Sequence, residues 1–216
     1  MSVSRETSGD GVEGEPPFAL ELFGPRIDRA RRFAGDLAER GVELGLIGPL
    51  ELPRLWTRHL INSALVAPLL RPGRVGDVGS GAGLPGLVLA IARPDVSFIL
   101  IEPMERRTDW LSAEVDRLGL DNVEVLRSRA EDARFSPLLD QVTARAVSAL
   151  SKLIPISAGL VRSGGELLFL KGANVDREVD AASKAIRAAK LTDVEVLTLG
   201  SEFGTEPTRL FRATVD

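Results

Sequence analysis

A run of twelve residues, VGDVGSGAGLPG at positions 75–86, constrains the fold of this chain more than any other feature. Five of them are glycines, and they stand between a short strand-like run and an apolar helical pattern. Glycine allows a backbone to turn sharply and to approach a ligand closely, and the helix that follows offers unpaired N–H groups. The stretch therefore predicts a strand, a ligand-binding loop and a helix in succession.

Short β-rich runs and helical runs alternate from residue 74 to the end of the chain. Such alternation is typical of a doubly wound parallel α/β sheet. The last run follows its predecessor without an intervening helix, so we expect it to pair antiparallel. The predicted strands are 74–78, 97–102, 122–126, 141–145, 165–170, 193–199 and 208–215, and the predicted helices are 84–92, 104–118, 149–161 and 175–189.

Changes in composition divide the chain into three predicted regions. Residues 1–15 are polar and acidic and are predicted to form a disordered tail. Residues 16–73 are predicted to form an N-terminal helical extension, with one helix over 25–40 and a second over 55–70. Residues 74–216 are predicted to form the α/β domain that carries the ligand site.

Residue counts exclude several kinds of chemistry. The chain has no cysteine, which excludes disulfides, thiolate metal sites and cysteine nucleophiles, and its single histidine makes a metal site unexpected. No apolar run reaches the roughly 18–20 residues of a membrane span, and the polar N-terminus lacks the apolar core of a secretory signal. We therefore expect a cytoplasmic protein without a metal and without a membrane partner.

Three acids decide which ligand the glycine loop suits. Residues 81–86 satisfy the G-x-G-x-x-G pattern of dinucleotide-binding proteins, so a nicotinamide enzyme has to be considered. However, Asp77 precedes the glycines, Glu102 ends the second strand, where a carboxylate takes ribose hydroxyls, and Glu131 follows the third strand. This arrangement resembles a class I S-adenosylmethionine-dependent methyltransferase with a Rossmann-like sheet, whose cofactor carries an ammonium group that suits an acid. The alternative is that the acids are solvated strand ends beside a tight turn.

We therefore predict S-adenosyl-L-methionine as the cofactor. The acids at the strand ends are expected to bind it, Asp77 directly or through water, together with the glycines of the loop. The predicted contacts from this reasoning are Asp77, Gly81, Gly83 and Glu102.

Two substrate classes are disfavoured by the residues. Methylation at C5 of a pyrimidine normally needs a cysteine, which the chain lacks. Methylation of an exocyclic amine usually shows an Asn/Asp-Pro-Pro-aromatic motif after the fourth strand, where this chain reads TARAVSAL from Thr143. Arg145, a cation, stands where many methyltransferases keep an acid or an amide.

Five stretches of the chain resemble the glucose-inhibited division protein B family, whose members methylate a guanine N7 of bacterial 16S ribosomal RNA. They are WTRHLINS at 56–63, DVGSGAGLPG at 77–86, RAED at 129–132, TARA at 143–146 and LKG at 170–172. Their order matches that of the family over roughly residues 20–215. One departure is Asn62, where many members have aspartate.

The resemblance implies roles for individual residues. Cofactor contacts are implied for Gly79, Leu84, Ala130, Glu131 and Arg145. Arg145 ends the fourth strand beside the expected methyl position, where it is predicted to act in catalysis by positioning the reactants. Its alternatives are a contact to RNA phosphate or the target base, or a structural ion pair.

Several cations and the single histidine are candidates for substrate binding. Arg58 and His59 precede the sheet, Lys171 ends the fifth strand, and Arg209 lies in the last strand. For each of them a structural or solvated role is the alternative. Further candidates for an RNA face are Arg106, Arg107, Arg127 and Arg129, and Trp110 is interpreted as core packing.

The predicted reaction needs no general base, because guanine N7 has an in-plane lone pair and no proton. The expected partner is 16S ribosomal RNA within the small ribosomal subunit or its precursor. The chain has a net charge of −4, of which the tail contributes −3, and so weakly charged a body favours a structured ribonucleoprotein substrate. Alternatives are a methyltransferase for a small molecule or protein, and an inactive cofactor-binding regulatory or RNA-binding module.

Overall fold

A seven-stranded sheet in the order β3-β2-β1-β4-β5-β7-β6 forms the centre of the protein. The computed structural model describes residues 11–204 and 206–216. Strand β7 pairs antiparallel with both β5 and β6, and the other pairings are parallel. The strands are β1 Arg74–Val78, β2 Ser97–Ile101, β3 Val123–Leu126, β4 Leu139–Arg145, β5 Val161–Lys171, β6 Leu191–Leu199 and β7 Thr208–Val215. The predicted fold class, including the antiparallel last strand, is therefore confirmed.

The helices that cover the sheet agree with the predicted alternation, with one exception. The predicted helix over 175–189 is interrupted at Ala182, whose backbone leaves helical geometry and whose side chain is buried in the core. Among the described residues, no helix combines the length and apolar composition needed to cross a membrane. These helices are α4 Gly86–Ala92, α5 Glu105–Leu118, α6 Leu150–Ala158, α7 Val175–Ala181 and α8 Ser183–Ala188.

The N-terminal extension begins with α1 (Ala19–Phe23) and α2 (Ile27–Arg40), which are joined by a single 3-10 turn. The apolar side chains of α2, the helix predicted over 25–40, are largely buried, among them Ile27, Phe33 and Leu37. They share one core cluster with α4, α5 and one face of the sheet, while a second cluster fills the opposite face under α6 to α8. The extension is thus packed against the sheet.

The predicted regular helix over 55–70 was wrong. The chain instead forms a 3-10 helix (Pro49–Arg54), a π-helix (Leu55–Ile61), one turn of α-helix, α3 (Asn62–Ala64), and a further 3-10 turn (Ala67–Leu69). The Ser63 hydroxyl donates to the His59 carbonyl at 2.6 Å, and such a bond competes with the regular backbone ladder. Pro68 has no N–H to continue a helix.

The predicted tail falls partly outside the described residues, which begin at residue 11. Within it, the Glu13 carboxylate accepts from the Thr57 N–H at 2.9 Å, and the Glu15 carboxylate pairs with Arg31 at 2.6 Å. Both acids thus bond to the helical extension. The division into tail, extension and α/β domain remains a prediction.

Two carboxyl groups meet where α2 packs on α5. Glu114 is fully buried, and neither of its oxygens has a hydrogen-bond partner among the described residues. Asp36 is 4% exposed and pairs with Arg117 through Oδ1, while its Oδ2 has no partner there. Burial, followed by the charge of Asp36, raises the pKa of Glu114 to about 7.

Replacing Glu114 with glutamine is expected to stabilise the protein by about 1–3 kcal/mol at pH 8, because the amide is neutral and can donate to Asp36. The raised pKa means that the wild-type contribution is complete below pH 4.5 and is lost as the pH rises through about 7. The difference between the two proteins should therefore shrink at pH 5. Urea unfolding at both pH values measures it, and exposed Asp116→Asn on the same helix serves as the control.

Candidate active site

The candidate active site lies at the carboxyl ends of β1 and β4, which are neighbours at the centre of the sheet. The order of the strands reverses at this point, since β1 continues to β2 on one side and β4 to β5 on the other. Open α/β sheets bind ligands in the crevice that such a reversal creates. The loop after β1, Glu102 after β2 and Arg145 at the end of β4 all lie at this edge.

The loop after β1 is shaped by glycines in left-handed conformations. Gly79, Gly81 and Gly83 have φ values of +70°, +55° and +94°, which other residues rarely adopt. A Cβ atom on Gly79 would come within 2.8 Å of the Val147 side chain. On Gly81 it would meet nothing closer than 3.7 Å. The loop therefore presents an open cradle of backbone at Gly81.

Asp77 lies beneath this loop and is fully buried. Its carboxylate accepts from the Gly86 N–H at 3.0 Å and from the Thr143 hydroxyl at 3.2 Å. Burial raises its pKa to about 6. The sequence predicted that Asp77 would reach the cofactor, whereas the structure places it where it fixes the loop to the start of α4.

Glu102 follows β2 directly and faces the same cradle. Its carboxylate is 2% exposed and accepts from the Gly81 N–H and the Met104 N–H, each at 3.0 Å. Each carboxylate oxygen can accept a second bond, so acceptor capacity is left for hydroxyl groups. Glu102 is thus placed as the sequence predicted, beside the glycine loop.

Arg107, predicted for an RNA face, lies at the cradle instead. Its Nη1 atom is 3.8 Å from a Glu102 oxygen and 4.0 Å from where a Cβ of Gly81 would stand. Its buried Nε atom has no hydrogen-bond partner among the described residues. Little in the local pattern predicts a role at the cradle for Arg107, which lies in the first turn of α5.

These residues fit S-adenosylmethionine. The cradle has room at Gly81, and the carboxylate beside it suits ribose hydroxyls. Leu84, 7% exposed, adds apolar surface within the loop. Ala130 and the exposed Glu131 follow β3 and line a second cavity with Arg134 and Phe135, so the structure does not bring them to the cradle. The chemistry of the loop, the carboxylate and the apolar side chain therefore agrees with that cofactor.

Arg145 ends β4 and is turned toward the N-terminal extension. It donates to the Arg58 carbonyl at 3.1 Å and to Nδ1 of His59. Burial lowers its pKa to about 10, so it remains charged at neutral pH. No carboxylate of the described residues forms an ion pair with it, which argues against the structural ion pair considered from the sequence.

His59 is 5% exposed and is held from both sides. Its Nε2 atom lies 2.8 Å from a Glu51 carboxylate oxygen, and its Nδ1 atom accepts from Arg145. Burial, followed by the positive charge of Arg145, lowers its pKa to about 4. His59 is therefore neutral at physiological pH and offers little surface to a substrate.

A cavity of about 820 Å³ opens beside Arg145 and brings the four predicted substrate residues together. Each of its other cations has an acidic partner: Arg58 with Glu51 at 3.0 Å, Lys171 with Glu178 at 2.7 Å, and Arg209 with Asp176 at 2.7 Å. The sequence missed these acids, which come from the extension and from α7. Among the lining residues are Glu51, Arg58, His59, Asn62, Arg145, Lys171, Asp176, Glu178 and Arg209.

Asn62 lines the same cavity, and its Oδ1 atom is buried without a hydrogen-bond partner among the described residues. The family resemblance found in the sequence predicts aspartate at this position. The Asn62 amide keeps one oxygen acceptor but does not carry the negative charge of an aspartate.

Trp110 is 3% exposed, which confirms its predicted place in the core. Its indole N–H also donates to the Ala82 carbonyl at 3.0 Å, so α5 is bonded to the glycine loop. This bond fixes one edge of the cradle.

Replacing Trp110 with phenylalanine is expected to weaken S-adenosylmethionine binding about three- to tenfold, because a hydrogen bond that shapes the loop is worth about 0.5–1.5 kcal/mol. Isothermal titration calorimetry measures the affinity. Trp56→Phe, in the π-helix, is the matched control and should bind like the wild type. Equal affinity of all three proteins would show that the bond does not shape the site.

Comparison with known proteins gives consistent results. The family model described as GidB, rRNA small subunit methyltransferase G, matches residues 26–206. Ribosomal RNA small subunit methyltransferase G of Clavibacter sepedonicus is 67% identical over 94% of this chain and 97% of its own length. The protein of the same name from Leifsonia xyli subsp. xyli is 62% identical over 95% of this chain and 99% of its own length.

Solved structures agree at the level of the fold. TYW2 from M. jannaschii in complex with AdoMet matches with a TM-score of 0.60 at 16% identity, over 74% of this chain and 77% of that one. A SAM-dependent methyltransferase from Aquifex aeolicus matches with a TM-score of 0.51 at 19% identity, over 94% of this chain and 95% of that one. The chain has the fold of the class I S-adenosylmethionine-dependent methyltransferases.

Proposed function

Because the chain belongs to the GidB family of rRNA small subunit methyltransferase G proteins, we propose that it transfers a methyl group from S-adenosylmethionine to N7 of a guanine in 16S ribosomal RNA. The observation that carries the proposal is the position of Arg145. Arg145 lines the large cavity. It also lies two residues before Val147, whose side chain packs next to Gly79 of the glycine loop. A cofactor in the cradle and a base in the cavity would meet there.

The residues proposed to hold the cofactor lie at the carboxyl ends of β1, β2 and β4 or in the loops that follow β1 and β3. Glu102 takes the ribose hydroxyls, and Asp77 supports the loop from below. The remaining proposed contacts are Gly79, Gly81, Gly83, Leu84, Ala130, Glu131 and Arg145.

The proposed reaction does not require the protein to remove a proton from the substrate. When bound, S-adenosylmethionine supplies an activated methyl group, and guanine N7 has a lone pair and no proton to lose. The chain therefore has to align the two reactants and exclude water. The Arg145 guanidinium, held at the boundary of the two sites, is proposed to provide this positioning.

The cavity is proposed to receive the target nucleoside from folded RNA. Its paired cations, Arg58, Lys171 and Arg209, become available to phosphates when their acidic partners turn away. Because these ion pairs have to open first, the cavity attracts naked RNA weakly and favours RNA that is already ordered by protein. The partner is proposed to be the small ribosomal subunit or its precursor, and the reaction is proposed to take place in the cytoplasm.

The test is transfer of radiolabelled methyl from S-adenosylmethionine to undermodified small ribosomal subunits, followed by nucleoside analysis. Label in 7-methylguanosine is the expected result. Label in another nucleoside would overturn the proposed target atom. Absence of label from RNA, with labelling of a protein or a small molecule, would favour a different methyltransferase.

Cofactor binding is measured separately by thermal unfolding. S-adenosylmethionine should raise the melting temperature and NAD should not, because only a ligand that binds the folded state stabilises it. Binding without transfer to any acceptor would favour an inactive regulatory module. Equal activity on protein-free 16S RNA and on subunits would contradict the proposed preference for the ribonucleoprotein.

A further inference from the structure

We propose that Glu51 and His59 are positioning residues, which hold the Arg145 guanidinium at the boundary between the glycine loop and the cavity. The inference rests on the proposed function in one respect, namely that Arg145 contacts the cofactor or the target base. The hydrogen-bond arrangement itself follows from the geometry and is tested independently.

The direction of each hydrogen bond is fixed by Arg145. A guanidinium carries only donors, so Nδ1 of His59, which it contacts, has to be the unprotonated acceptor. The ring proton of neutral His59 is then on Nε2, which lies 2.8 Å from the Glu51 carboxylate and donates to it. The chain of bonds therefore runs from Arg145 through His59 to Glu51 in one tautomer.

The surroundings stabilise this tautomer. Although burial opposes it, the positive charge of Arg58 and the hydrogen bond from His59 keep the pKa of Glu51 below its usual range, so Glu51 remains an acceptor. The low pKa of His59 agrees with a neutral ring. The carbonyl groups of Arg58 and His59 lie 3.1 and 3.5 Å from Nη1 of Arg145. The guanidinium is thus held by one acceptor on the ring and by carbonyls of the π-helix.

The positions of Glu51 and His59 in the fold show what the N-terminal extension contributes to the site. Glu51 comes from the 3-10 helix and His59 from the π-helix that follows it, whereas Arg145 comes from β4. The unusual helix brings the ring and two backbone carbonyls to the same guanidinium. Without the ring acceptor, the Arg145 side chain would have fewer fixed contacts and would sample more rotamers.

The single histidine of the chain makes a direct test practical. Histidine labelled with ¹⁵N gives one pair of ring nitrogen signals in an NMR spectrum of the full-length protein. We expect a protonated Nε2 and an unprotonated Nδ1 at neutral pH. In Arg145→Ala the Nδ1 signal should shift, because its donor is removed. A protonated Nδ1 in the wild type would overturn the proposal.

Two variants at residue 59 separate positioning from packing. In His59→Asn the side-chain oxygen is one bond from Cγ, as Nδ1 is, and it can still accept from Arg145. His59→Leu has a similar volume but no acceptor. We expect His59→Leu to lower kcat by about tenfold or more, the scale on which loss of alignment acts. His59→Asn should recover most of that loss, and Asn174→Ala, exposed beyond β5, should keep wild-type activity.

Melting temperatures of the variants distinguish lost positioning from lost folding. Equal kcat values for folded His59→Leu and His59→Asn would overturn the proposal, whatever their size relative to the wild type. If the wild type does not methylate 16S RNA, the proposed function fails, while the NMR experiment still decides the tautomer.

Discussion

Replacing Arg145 with alanine is expected to reduce kcat/KM for methyl transfer by about 100-fold or more, the cost of losing alignment between two reactants. The variant loses a partly buried cation that lines the cavity at the end of β4. Asp77, Glu102 and the glycines are untouched, so the cradle keeps its shape. Initial rates on undermodified small subunits, with S-adenosylmethionine and subunits each varied, measure the effect.

Controls for this prediction come from charge and from binding. Arg145→Lys keeps the positive charge but has a single nitrogen, which cannot contact the ring and the carbonyls in the same fork geometry, so it should recover only part of the activity. Arg187→Ala removes an exposed arginine in α8 and should behave like the wild type. A fall in activity matched by an equal fall in S-adenosylmethionine affinity would assign Arg145 to cofactor binding rather than to alignment.

The elements around the glycine loop were predictable because local signals agree there. Positive φ values favour glycine, and a strand, a turn and a helix follow within one short stretch. Glu102, the acid after β2, was predictable because neighbouring parallel strands end at one edge of the sheet. The predicted antiparallel last strand needed only the absence of a helix before it.

The arrangement around Arg145 was not predictable from local pattern. His59 lies 86 positions before Arg145 in the sequence. The π-helix that contains His59 has no recognisable sequence periodicity of its own. Nor does a sequence show whether an acid at a strand end lies above or below a loop. Asp77 lies one residue before the end of β1 and Glu102 directly after β2, yet one is buried under the loop and the other faces the cradle.

A second feature hidden from local pattern is a polar network at the opposite end of the sheet. Glu166, at 1% exposure, accepts from Arg212 at 2.6 Å, from Arg71 at 2.9 Å and from the Gln141 amide at 2.7 Å. The Gln141 side-chain oxygen in turn accepts from the Arg71 N–H at 2.8 Å. The network joins the end of the helical extension to β4, β5 and β7.

Replacing Glu166 with alanine is expected to destabilise the protein by about 3–5 kcal/mol, because removing one partner of a buried ionic network leaves the others uncompensated. Urea unfolding at constant pH measures the change. Glu195→Ala removes a half-exposed carboxylate that pairs with the same Arg212 at 3.1 Å, and it should cost less than about 1 kcal/mol.

The comparison between these two variants isolates burial from charge, because each removes one negative charge from Arg212. Glu166→Gln keeps one oxygen acceptor, so its free energy of unfolding should lie between those of the two alanine variants.

If the network also fixes the extension on the sheet, Glu166→Ala should weaken the packing that carries Glu51 and His59 to Arg145. Its kcat should then fall below that of Glu195→Ala at temperatures where both proteins are folded. Equal unfolding free energies for the two alanine variants would contradict the proposed weight of the buried network.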